Sequence, residues 1–201
     1  MNPAVDFSPL TDDELAAAYA WPTGKSLRLN MLLDPHGSAT GSDGTSHSLT
    51  STKDRRILRL IRTEADAVVV GASSVRTEGW FLPPQGLLVV LTKSGNLPWD
   101  SCPDRQRVVS CASISELATW LQEHPGRQLC EGGLTTAHAL DSAVGFDQIA
   151  LTAHLPANKA LALVTDHPTE FELTHASRSS QPAANNSEGF FLWRRAEPRK
   201  D

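Results

Sequence analysis

The octapeptide LCEGGLTT, Leu129 to Thr136, places a carboxylate and two adjacent glycines where an apolar run ends and a helical pattern starts. Glycine loses more backbone entropy on folding than any other residue, so a pair at such a junction serves local geometry or the close approach of another group. A second junction of this kind, Gly71-Ala72-Ser73-Ser74, follows the apolar run Ala65 to Val70. Both offer unhindered backbone N–H groups and hydroxyls at a strand end, which is what phosphate binding requires. Neither carries Gly-x-Gly-x-x-Gly or Gly-x-x-x-x-Gly-Lys-Ser/Thr, so the residues alone leave a purely structural turn as the competing reading. The third candidate is Asp34 to Ser48, DPHGSATGSDGTSHS, too rich in Gly, Ser, Asp and Thr to bury much surface. Loops this long in compact domains are more often functional than idle.

Other chemistries find less support. The 7 histidines show no HxH or HExxH spacing, and the 3 cysteines, Cys102, Cys111 and Cys130, include no CxxC pair. Neither a metal site nor a disulfide framework is therefore expected, and Cys130, inside an apolar segment, reads as a small core residue. A formal net charge of -5 argues against nucleic acid. The basic run Arg194, Arg195, Arg199 and Lys200, next to Glu197 and Asp201, reads as a solvated tail. No apolar stretch approaches the ~20 residues of a membrane span, and the N-terminus lacks a basic-then-apolar leader, so a cytoplasmic protein is expected.

These candidates must be positioned by the surrounding elements. Thr11-Asp12-Asp13-Glu14 has the form of a capping box and predicts a short helix ended by Trp21-Pro22. Strands are predicted at Ser26 to Leu33, Ala65 to Val70, Leu87 to Thr92, Arg107 to Cys111, Gln128 to Cys130, Asp147 to His154, Glu170 to His175 and Phe190 to Trp193. Ser51 or Thr52 caps a helix to about Thr63, with Ile57, Leu58, Leu60 and Ile61 as its apolar stripe. Arg55, Arg56, Arg59 and Arg62 lie largely off that stripe, and three of them read as merely solvated. A second capping box, Ser113-Ile114-Ser115-Glu116, opens a helix to about Glu123, and Leu134 to about Ala143 forms another. Gln181 to Glu188 is predicted to turn a hairpin between the last two strands.

Helices and strands alternate and then give way to strands alone. The pattern predicts a three-layer α/β/α sandwich whose mixed, mainly parallel central sheet gains antiparallel strands at its C-terminal edge. With 201 residues the chain is expected to form a single domain, residues 1–24 a helical extension and 25–195 the core. Ligands of such sheets bind beyond the carboxyl ends of the strands, where all three candidate segments would gather.

Two stretches, NMLLDPHGSATGSDGTSHSLTSTKDRRILRLIRTEADAVVVGASSVRTEGW from Asn30 to Trp80 and EGGLTTAHALDSAVGFDQIALTAHLP from Glu131 to Pro156, carry a family likeness. They resemble the C-terminal reductase domain of the riboflavin-biosynthesis deaminase/reductase, in its stand-alone actinobacterial form. The resemblance implies a dihydrofolate-reductase-like fold, a homodimer, NADPH as cofactor, and reduction of the ribose of a ribosylamino-pyrimidine to ribityl. It further implies that Ser74 and Glu78 contact the nicotinamide nucleotide and that Gly132, Gly133, Leu134 and Thr135 form the phosphate-binding turn. Ser110 would approach the adenosine part, and Glu131, Asn30, His36, Ser46 and Arg62 would face the substrate. Glu131 is the candidate for assisting protonation or orienting the substrate, its structural alternative being a carboxylate that accepts backbone N–H bonds. Arg62 would bind a substrate phosphate bidentately or compensate a helix dipole.

At one point the chain departs from that family. The usual Lys or Asn followed by Ser-x-Asp-Gly is here Asn30-Met31-Leu32-Leu33-Asp34-Pro35-His36-Gly37. Asp34 stands for the Ser and His36 for the Asp, leaving His36 either as a proton donor near neutral pH or as the mark of lost catalytic pressure. The substitution bears on the substrate more than on the cofactor. A pterin or dihydrofolate is the second substrate reading, and a nucleotide-binding homodimer without turnover is the third. Residues before the first strand lack the His-x-Glu and Pro-Cys-x-x-Cys pattern, so no zinc deaminase domain is expected there.

Overall fold

A computed structural model describes residues 11–178 and 188–197. In chain order the elements are α1 Asp12–Tyr19, β1 Ser26–Leu33, α2 Thr52–Thr63, β2 Ala67–Gly71, α3 Ala72–Glu78, β3 Leu87–Leu91, β4 Val108–Cys111 and α4 Ile114–Glu123. They continue with β5 Arg127–Cys130, α5 Leu134–Ala143, β6 Gln148–Ala153, α6 Ala157–Ala162, β7 Phe171–Arg178 and β8 Gly189–Arg195. The strands form one sheet in the order β4-β3-β2-β5-β1-β6-β8-β7. β1 to β6 run parallel, while β8 is antiparallel to both β6 and β7. The expected mixed sheet is therefore present, with its antiparallel pairings at the C-terminal edge.

Alternation along each strand divides the core into two layers. Ala67 and Val69 of β2 pack with Leu117, Leu140 and Ala160 of α4, α5 and α6, whereas Val68 and Val70 pack with Leu15, Ile57 and Val75 of α1, α2 and α3. Local signals fix the helix starts. Thr11 and Glu14 make the full capping box of α1, and the Ser51 hydroxyl accepts the Asp54 N–H at 3.1 Å. At α4 the box is half-built: Ser113 accepts the Glu116 N–H, but the Glu116 carboxylate takes the Ala112 N–H at 2.7 Å.

Arg28 explains how α1 joins the domain. It is fully buried, because α1 and Trp21 cover a strand face whose polar residue would otherwise meet water. Its guanidinium donates to the carbonyls of Tyr19 (2.8 Å) and Ala20 (3.0 Å) and to Gln148 Oε1 (2.6 and 2.9 Å). The last carbonyls of α1 thus receive the donors a helix end requires. Burial without a carboxylate partner lowers the Arg28 pKa to about 10.

The structure adds elements to the sequence reading and corrects one part of it. α3 and α6 are helices that the sequence pattern did not reveal, being too short for a periodic stripe and lacking a capping side chain. Arg195 belongs to β8 rather than to a solvated tail: it donates to the Phe146 carbonyl at 2.8 Å and pairs with Glu170 and Asp141. Arg199 and Lys200 lie outside the described residues, as does the expected hairpin turn apart from Glu188. Arg55 and Arg59 are exposed, yet they stand on the wall of a cleft.

Candidate functional site

β2 and β5 are parallel neighbours in register Val69↔Cys130. The two glycine junctions, distant in sequence, consequently end side by side, and the Glu131 N–H extends the ladder to the Val69 carbonyl at 2.8 Å. Beyond these strand ends lies a cleft of about 1100 Å³, walled by the end of β1, the loop after it, α2, α3 and the Glu131–Gly133 turn. Of the residues singled out from the sequence, Asn30, Ser46, Arg62, Ser74, Glu78, Glu131, Gly132 and Gly133 line it.

The other four lie off that wall. His36 is exposed in a turn where the Asp34 carboxylate accepts the N–H groups of His36 and Ser38, each at 2.8 Å. Ser110 is exposed on β4, opposite Val90. Leu134 and Thr135 form the first turn of α5, behind the glycines.

Within the cleft Arg62 grips Glu131 with two parallel hydrogen bonds, Nε to Oε1 at 2.8 Å and Nη2 to Oε2 at 2.5 Å. The guanidinium also lies 3.7 Å from the centre of the Phe81 ring. A planar fork matched to a carboxylate and stacked on an aromatic face is held in one orientation. Arg62 therefore engages the protein's own carboxylate rather than serving as a free surface charge. On the opposite wall Glu78 Oε1 accepts the Ser46 N–H (3.1 Å) and hydroxyl (3.3 Å), pinning the loop after β1 to the end of α3.

The glycines differ in role. A Cβ on Gly132 would lie 2.6 Å from Thr136 Cβ, so this position is kept bare by the packing of α5 itself. A Cβ on Gly133 would meet nothing within 4 Å. Gly133 is the N-cap of α5 and Gly71 the N-cap of α3, and neither provides a side-chain cap. The first-turn N–H groups of a helix have no partner inside it. Two such starts, on adjacent strand ends, can together receive an extended anion such as a pyrophosphate. Cys130, by contrast, is core as expected, its buried thiol pushed up to about 12.

Asp54 was not singled out from the sequence. It sits in the first turn of α2, is only 7% exposed, and lines the cleft while accepting the Thr50 hydroxyl at 2.6 Å. An acid three residues after a Ser cap normally faces water; only tertiary cover buries this one. Behind it the antiparallel pair β7 and β8 meets Lys53 of α2. Lys53 Nζ reaches the Ser177 hydroxyl at 3.3 Å and lies 4.6 Å from the Phe190 ring centre. Burial pushes the Glu188 carboxyl up, with Asp54 adding to the effect, and burial lowers His175, with Lys53 adding.

Among the described residues no group of three His, Cys, Asp or Glu could hold a metal ion, and no helix is long and apolar enough to cross a membrane.

The fold is dihydrofolate-reductase-like, as three solved structures show. A dihydrofolate reductase from Enterococcus faecalis, solved with NADP(H) and RAB-propyl, superposes with a TM-score of 0.61 at 17% identity, covering 86% of this chain and 97% of that one. A pyrimidine reductase-like protein from Corynebacterium diphtheriae gives 0.62 at 19% identity, covering 87% and 93%. The Thermotoga maritima diaminohydroxyphosphoribosylaminopyrimidine deaminase/5-amino-6-(5-phosphoribosylamino)uracil reductase gives 0.59 at 14% identity over 91% of this chain and 60% of that longer one. No protein-family model matches the sequence, and no curated protein does.

Proposed function

We propose that the protein is an NADPH-dependent reductase of the riboflavin-biosynthesis pyrimidine reductase type, taking a ribosylamino-pyrimidinedione to its ribitylamino form. The observation that carries this reading is the pair of uncapped helix starts at the ends of β2 and β5, opening on a cleft that holds an oriented carboxylate. Of the structures of matching fold, one is named a 5-amino-6-(5-phosphoribosylamino)uracil reductase, one a pyrimidine reductase-like protein, and one was solved with NADP(H).

The cofactor fits the residues present: bare Gly133 leaves space at the start of α5, where Leu134 and Thr135 contribute first-turn N–H groups for the pyrophosphate. Ser74 and Glu78 would hold the nicotinamide nucleotide and Ser110 the adenosine end. When bound, the nicotinamide supplies a hydride. The chain's own part is positioning. Glu131, locked by Arg62, orients the substrate; Asn30 lines the floor; and the loop pinned through Ser46 to Glu78 keeps water from the reacting face. We place the protein in the cytoplasm as a homodimer.

NADPH titration followed by fluorescence or thermal shift tests the cofactor, and saturation only at millimolar levels without preference over NADH would reject it. Oxidation of NADPH with the ribosylamino-pyrimidine tests the substrate. A second reading, reduction of a pterin or dihydrofolate ring, is favoured by Asp54, a buried carboxylate facing the cleft. Dihydrofolate in the same assay separates the two.

A further inference from the structure

We propose that Arg55 and Arg59 form an anion subsite at the mouth of the cleft and read a phosphate monoester on the substrate; the assignment rests on the reductase reading above. The reasoning starts from the charges that line the cleft. Every carboxylate there is met by the protein's own donors. Asp43 takes the Thr45 N–H, Thr45 hydroxyl and Ser48 hydroxyl, and Asp54 takes the Thr50 hydroxyl. Glu78 is occupied by Ser46 and Glu131 by Arg62. Arg62 is correspondingly spent, its Nε and Nη2 both on Glu131, so the fork that the sequence offered for phosphate is not free to take it.

Arg55 and Arg59 remain. Both line the cleft, and neither guanidinium has a hydrogen bond or ion pair among the described residues. Their spacing with Arg62, four and then three residues, puts all three on one face of α2, while Ile57 and Ile61 face the core. Like charges one turn apart repel and so destabilise a helix. A stripe of them along a cleft wall whose carboxylates are already met by other donors is the arrangement a dianionic ligand would neutralise. Guanidinium forks suit phosphate because two parallel N–H donors meet two oxygens. The geometry thus divides the α2 arginines: Arg62 positions Glu131 deep in the cleft, and Arg55 with Arg59 receives the substrate's charged end nearer the mouth.

The test uses the full chain, wild type and R55Q/R59Q, after thermal unfolding has shown both folded. Ribose 5-phosphate, ribose and glutarate are titrated by calorimetry. Ribose 5-phosphate is expected to bind wild type at least about tenfold better than ribose, and the double variant is expected to lose that preference. A ribose 5-phosphate affinity that changes less than about threefold in R55Q/R59Q assigns the phosphate to the helix starts and overturns the proposal. Equal binding of ribose and ribose 5-phosphate by wild type overturns it too, as does arginine-dependent binding of glutarate alone, which would point to a dicarboxylate tail. NADPH oxidation is scored separately. Arginine-dependent phosphate binding with no turnover of any pyrimidine or pterin leaves the subsite standing and rejects the reductase reading; turnover with unchanged phosphate preference in R55Q/R59Q does the reverse.

Discussion

Thr136 packs against Gly132 so closely that its Cβ and Cγ2 would each lie 2.6 Å from a methyl group added at residue 132. Its hydroxyl also reaches toward the other junction, 3.7 Å from where a Cβ on Gly71 would stand. One threonine of α5 therefore sets the spacing between two helix starts. Gly132→Ala should destabilise the protein by about 1–3 kcal/mol through overpacking. Gly133→Ala, with open space and φ -61, should leave the thermal midpoint nearly unchanged while weakening NADPH binding. Paired melting curves and NADPH titrations separate the two effects.

Glu131→Gln keeps the shape of the side chain but removes the charge that Arg62 holds. Turnover of the pyrimidine substrate should fall on the order of tenfold to a hundredfold in kcat, with KM changing less, because orientation rather than ground-state binding is lost. Steady-state kinetics on the variant decide it, and unchanged kcat would retire the role given to Glu131.

Arg28 makes a stability prediction. Arg28→Met strips the donors from the carbonyls of Tyr19 and Ala20 and from Gln148. Loss of about 3 kcal/mol is expected from buried acceptors left unmet. Urea unfolding followed by tryptophan fluorescence reads it directly, since Trp21 lies against that guanidinium.

Two buried groups should give opposite pH dependences. Glu188 titrates above its ordinary 4.5 in the folded state, so from 4.5 up to that raised value the folded form holds a proton the unfolded chain releases. Stability falls as pH rises through this window. His175 titrates below its ordinary 6.5, so between its lowered value and 6.5 the unfolded chain holds the extra proton and stability rises with pH. Glu188→Gln should remove the first trend and His175→Phe the second, as read from urea midpoints between about pH 4 and 8.

Cys102 is the partly exposed thiol, whereas Cys111 and Cys130 are buried and both are pushed up by that burial. A thiol reagent should modify Cys102 in the native protein and reach the other two only after denaturation, because the thiolate is the reactive form. Peptide mapping of the labelled protein checks this.

Several elements were legible from local signals. β1, α2 and α5 fall on their expected residues because Asp34-Pro35, the Ser51 cap and the glycine pair mark their ends. What escaped depends on contacts far apart in sequence. Both Arg62 and Glu131 stood out as residues, but nothing in either segment says that they grip each other, since that requires β2 to lie beside β5. Nor does the strand pattern of Ser26 to Leu33 say that Arg28 is buried; α1 and Trp21 make it so. Asp54 did not stand out, and the α2 arginines read mostly as solvated, for the same reason: the cleft wall is formed by several elements together.

The adjacency of β2 and β5 is also a long-range condition on the site. β5 lies between β1 and β2, both earlier in the chain, and the two glycine junctions meet only once it pairs with β2. Non-local pairing of this kind pays its loop-closure entropy first and gains its contacts afterwards, which slows folding. The cradle therefore exists only in chains that have made the β2–β5 pairing, and a nucleotide that recognises it would report on that pairing rather than on the strands taken singly.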